Sequence, residues 1–165
     1  MRLSNNSGQR YSLTFSTLNL FLVLFVSAYG GACTYEENTR VQVDGNVPPT
    51  FKLDGSGHQI SFVVTEIPAE NQVLPPHRDP SKNIDLWEIV PNEGTPDRAW
   101  DWPPITYGKV PPGFKQKTPI SGVPPSLTAG KVYAAGGEAY GANGGEVWFT
   151  ITDNHSKAVA KPGGH

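Results

Sequence analysis

Reactive chemistry in this 165-residue chain would have to be assembled from few parts: one cysteine, four histidines and acidic residues that do not cluster. Cys33 is a nucleophile once its thiol ionises, so it can be acylated or alkylated at sulfur, and the sequence offers it no second cysteine for a disulfide. The histidines are His58, His77, His155 and His165, and none stands at zinc-ligand spacing from another. His77-Arg78-Asp79-Pro80 puts a carboxylate two residues from an imidazole, but its proline marks it as a polar loop. The motifs that pair a nucleophile with a base are absent. Asp54-Gly55-Ser56-Gly57 lacks the alternating acidic ligands of a calcium loop. Gly136-Gly137 and Gly144-Gly145 follow apolar alternating segments, with no helix behind them to make a phosphate cradle. These readings predict no enzyme, no metal and no cofactor.

What remains is the chemistry of aromatic faces. Trp100 and Trp102 are two residues apart, so in an extended loop both rings share one side, with Tyr107 just beyond. A flat ring on a polar surface stacks on the apolar face of a sugar or receives a partner's side chain. Trp100, Trp102 and Tyr107 are therefore the candidate ligand-binding residues. The competing expectation is that the two tryptophans fold back and plug an open end of the domain, since tryptophan is mostly buried. The two readings differ in exposure alone.

The elements that must carry these side chains are short and punctuated. The chain holds 16 prolines and 18 glycines, and few windows escape both. Those that do alternate: Ile60, Phe62 and Val64 against Gln59, Ser61 and Thr65, and Val147, Phe149 and Ile151 against Glu146, Thr150 and Thr152. Shorter candidates are Thr39 to Val43, Thr50 to Leu53, Ile84 to Val90, Ile105 to Tyr107, Phe114 to Lys117 and Lys131 to Ala135. Asp54 to Gly57 predicts a hairpin between its two flanking strands. Two connections are long, Ile67 to Asn83 and Pro91 to Pro104; the second holds both candidate tryptophans. Many short strands with no βα alternation predict an all-β fold, an antiparallel sandwich or barrel over residues 40–152, and the polar stretch 153–165 reads as a disordered tail.

Two segments choose the sandwich. Leu127-Thr128-Ala129-Gly130-Lys131-Val132-Tyr133 resembles the tyrosine corner of fibronectin type III and related immunoglobulin-like domains, with Ala129 where proline is usual. Trp87, in Asp85-Leu86-Trp87-Glu88-Ile89, resembles their core tryptophan. The resemblance implies a tyrosine hydroxyl bonded to backbone a few residues upstream, near Leu127 to Gly130, and a tryptophan at the centre of the core.

Ahead of the domain, Arg2 and Arg10 precede an uninterrupted apolar core from Leu20 to Val26, then Tyr29-Gly30-Gly31-Ala32, with no acidic residue before Cys33. This is the three-part layout of a secretory signal over residues 1–32, and its apolar part is roughly half of what a membrane-spanning helix needs. Gly30 and Ala32 suit ordinary signal peptidase. A cysteine at the cut resembles the lipobox of bacterial lipoproteins, with Gly30 where leucine is usual, and implies a lipidated Cys33 as the new N-terminus. Residues 33–39 then form a tether. The segment from Tyr107 to Phe114, with Pro119 and Pro124-Pro125 after it, also resembles small bacterial lipoproteins.

Charge narrows the partners. The chain carries a net −2, more once Arg2 and Arg10 are removed, and Lys109, Lys115 and Lys117 are as close as its cations come to a cluster. That excludes nucleic acid. The expectation is a lipid-anchored, exported cell-envelope protein of a bacterium. It acts as a non-enzymatic binding or structural module, on an envelope protein or glycan; the alternative is a carbohydrate-binding module using the exposed tryptophans.

Overall fold

The computed structural model describes residues 38–72, 79–140 and 144–161. The expected leader, Cys33, most of the tether and His77 lie outside these residues. The described chain is all-β. Its strands are β1 (Thr39–Val43), β2 (Thr50–Gly55), β3 (Gln59–Ile67), β4 (Ile84–Pro91), β5 (Ile105–Thr106), β6 (Phe114–Thr118), β7 (Val132–Ala139), β8 (Glu146–Thr152) and β9 (His155–Val159). They form two antiparallel sheets, one ordered β1-β2-β5 and the other β6-β4-β3-β7-β8-β9.

The sheets pack face to face because both are apolar on the inner side. Val41, Phe51, Leu53 and Ile105 from the small sheet meet Phe62, Val64, Trp87, Ile89, Tyr133, Phe149 and Ile151 from the large one in a single core. Phe51 sits between the layers, its ring centroid 5.2 Å from Phe62 and 5.4 Å from Phe149. Rings buried in this way stabilise by about 1.5–3 kcal/mol each, which substitutes for the disulfides the chain cannot form. Tyr133 opens β7 and closes the predicted corner: its hydroxyl accepts from the Thr128 N–H at 2.7 Å and donates to the Thr128 carbonyl at 3.3 Å.

Three expectations change. Asp54 to Gly57 is a crossover and not a hairpin, since β2 pairs with β1 and β5 while β3 pairs with β4 and β7. Phe51 and Leu53 on one strand and Phe62 and Val64 on the other are held facing each other across the core, which side-by-side pairing would not allow. The turn needs its glycine even so: Gly55 has φ +114°, and a Cβ there would lie 2.1 Å from the Asn38 carbonyl oxygen. Ile60 leaves the row of Phe62 and Val64 for the surface, while Gln59 and Ser61 are buried, because the β3–β7 ladder slips between Gln59 and Ser61.

The third correction is the tail. Asp153-Asn154 turns the chain back so that β9 pairs with β8 from Thr152↔His155 to Trp148↔Val159. His155-Ser156-Lys157-Ala158-Val159 carries too little apolar surface to predict a strand. Its hold comes instead from the ladder and from Ser156, whose hydroxyl donates to the Asp44 carbonyl. Trp148 points away from the main core and is nevertheless buried, covered with Ile67, Ala134 and Val159 in a second apolar cluster on the outer face of the large sheet. Residues 162–165 lie outside the described chain.

Candidate functional site

The loop from Pro91 to Pro104 does not run extended through its tryptophans. Ala99–Asp101 is a single 3-10 turn, closed by Asp101 N–H to the Arg98 carbonyl at 3.0 Å and Trp102 N–H to the Ala99 carbonyl at 3.2 Å. Three residues per turn send positions two apart to different sides. Ala99, fully buried, pins the turn to the β2–β3 crossover by donating its N–H to the Gly57 carbonyl at 3.0 Å.

The candidate aromatics therefore separate. Trp102 is 5% exposed, its indole N–H donating to the Pro96 carbonyl at 2.8 Å and its ring edge-on to Phe114 at 4.8 Å. Tyr107 is also buried; its hydroxyl donates to the Pro125 carbonyl at 2.7 Å and its ring packs edge-on to Trp87 at 5.5 Å. Trp100 alone faces solvent, at 55% exposure. The plug describes Trp102 and the exposed surface describes Trp100, so no platform of three rings forms.

Burial has a measurable consequence at Tyr107. Loss of water around the phenolate, and to a lesser degree Tyr133 nearby, pushes its pKa up to about 12 from 10.0. The neutral phenol is favoured in the folded state, so the stability it contributes is complete below pH 10 and is lost as pH rises towards 12. Alkaline unfolding followed by circular dichroism should steepen across that window, and Tyr107→Phe should flatten it. An unchanged pH slope in Tyr107→Phe would place the alkaline transition elsewhere.

Around Trp100 the fold gathers residues that sequence spacing could not join. The Arg98 guanidinium carbon stands 5.9 Å from the Trp100 ring centroid, and Arg98 also donates to the Ser56 carbonyl. His58 Nδ1 lies 2.6 Å from Asp97 Oδ2, a bond that holds the Asp97 carboxyl below its ordinary range. His58 and Arg98 form an isolated bridge, and Tyr140, 74% exposed, donates its N–H to the His58 carbonyl at 3.1 Å. A carboxylate that orients an imidazole is part of a general-base device, but both side chains stand well into water. Their pairing ties the loop to the crossover and contributes little energy. Tyr140 follows Ala134-Ala135-Gly136-Gly137-Glu138-Ala139, and nothing local marked it.

The opposite end is apolar. Pro48, Pro49, Tyr107, Pro124 and Leu127 line an open cleft of about 370 Å³, and Ile120 and Val123 on the adjoining loop are almost fully exposed. Among the described residues, no three His, Cys, Asp or Glu side chains gather where a metal could bind. No protein-family model, curated protein or solved structure matches the chain.

Proposed function

We propose that the chain is an exported bacterial lipoprotein whose domain serves as a non-enzymatic binding or structural module at the cell envelope. The observation that carries it is the lone cysteine, Cys33, directly behind an apolar run flanked by Arg2 and Arg10 on one side and Gly30-Gly31-Ala32 on the other. The domain reads as immunoglobulin-like or fibronectin type III-like. Strands β1-β2-β5 follow the A-B-E order of one immunoglobulin sheet and β4-β3-β7-β8 the C′-C-F-G order of the other, with Tyr133 at the start of the F-equivalent strand. Two features depart from that pattern: Trp87 stands on β4 and not on β3, and β6 and β9 add a strand at each edge of the large sheet.

Cells expressing the full chain should incorporate palmitate into it, and the protein should partition into detergent. Cys33→Ser should abolish the label and release or stall the protein. A Cys33→Ser chain that is processed normally and stays membrane-bound would remove the lipoprotein reading.

The alternative, a carbohydrate-binding module, rests on Trp100 with Arg98 beside its ring. Trp102 and Tyr107, buried, would support such a site from behind and would not touch the sugar.

A further inference from the structure

The chain enters the domain at the end that carries Trp100. Thr39, the first residue of β1, pairs with Gly55, and its hydroxyl accepts from the Gln59 side-chain amide at 2.7 Å. That end is built from the Gly55–Gln59 crossover, the Asp97–Asp101 turn and the segment leaving β7 at Tyr140. Five residues separate Cys33 from Thr39. Even fully extended they span about 20 Å, so a lipid on Cys33 would hold this end close to the membrane.

We propose that Trp100 and Tyr140 rest at the headgroup level of the membrane that holds the anchor. The inference depends on lipidation of Cys33. Indole and phenol rings with one apolar and one polar side collect at the bilayer interface, and these two are the strongly exposed aromatics among the described residues, at 55% and 74%. Both stand on segments bonded to His58, one through the Asp97 carboxylate and one through the Tyr140 N–H. Charge selects the lipid. Asp54, Asp97 and Asp101 outnumber Arg40 and Arg98 at this end, so the face is not basic and anionic headgroups would gain nothing there. Zwitterionic headgroups fit, with Arg98 near the indole as a cationic neighbour for phosphate. Two rings bind a bilayer weakly by themselves. Held within about 20 Å by a covalent lipid, they act at high effective concentration and set which way the domain points.

The chain's other tryptophans, Trp87, Trp102 and Trp148, are 0%, 5% and 4% exposed, so a quencher in the lipid headgroup region reads Trp100. The full lipidated chain, its palmitate label verified, would be reconstituted in phosphatidylcholine vesicles carrying shallow spin-labelled lipid. The exposed component of tryptophan emission should be quenched. Trp100→Phe should lose that quenching with near-ultraviolet dichroism otherwise retained, Tyr140→Ser should reduce it, and phosphatidylglycerol should not strengthen it. Palmitate-labelled, vesicle-bound protein whose emission ignores the quencher would overturn the orientation while leaving the anchor intact. The same result with Trp100-dependent retention on an envelope glycan would assign the ring to sugar. Absence of the label would overturn both anchor and contact, and stronger quenching in anionic vesicles would overturn the choice of lipid.

Discussion

Trp87→Ala is expected to lower the unfolding free energy by about 3–5 kcal/mol, the range for truncating a large aromatic in a core that cannot collapse around the gap. Trp87 is wholly buried on β4, opposite Val64 on β3, with Tyr107 edge-on at 5.5 Å. Its indole N–H donates to the Gln116 side-chain carbonyl at 3.0 Å, and the Gln116 amide in turn holds the Pro119 and Gly122 carbonyls at 2.7 and 3.0 Å. Truncation thus opens a cavity and frees the residue that organises the loop after β6. Tyr133→Phe is the internal comparison. It keeps the ring packed against Phe149 at 5.5 Å and loses only the bonds to Thr128, so it should cost about 0.5–1.5 kcal/mol. Urea unfolding of both variants measures the difference, and similar small losses would show that Trp87 does not anchor the core.

The features legible in the sequence are those whose causes are local. Alternation of Phe62 and Val64, or of Phe149 and Ile151, follows from a two-residue period that one buried face imposes, and the strands lie where it appears. The corner at Tyr133 was legible for the same reason, because its bond reaches only five residues back to Thr128. Pairing is a different matter. Asp54-Gly55-Ser56-Gly57 specifies a turn, but whether the next strand lies beside the last or across from it depends on which sheet has a free edge, which no tetrapeptide encodes. β9 was hidden because an edge strand needs backbone partners more than apolar side chains, and its partner Trp148 lies on the face that the alternation of β8 assigned to solvent. The site failed on one assumption, that the loop is extended at Trp100. Ala99 fills a fully buried position against the crossover, and that contact bends the loop into the turn which parts the two rings.

The second large effect is expected at Trp102, where truncation to alanine should cost about 3–5 kcal/mol while Trp100→Ala stays within about 0.5 kcal/mol of the wild type. Trp102 seals the end of the core against Phe114, and its indole N–H satisfies the Pro96 carbonyl, so alanine leaves both a void and an unpaired acceptor. Trp100 loses only a half-solvated contact with Arg98. Asp101 is exposed between them, and Asp101→Asn should be neutral, which controls for disturbance of the turn itself. Ligand retention runs the other way: a glycan that recognises this end should release Trp100→Ala and still hold whatever fraction of Trp102→Ala remains folded, whereas a membrane that holds the chain by its lipid should keep both and lose only the Trp100 contact. Thermal melts and retention measured on the same two variants separate the residues. Equal destabilisation by both would mean that Trp100 is part of the plug, and the exposed indole on which the glycan and membrane readings both depend would be gone.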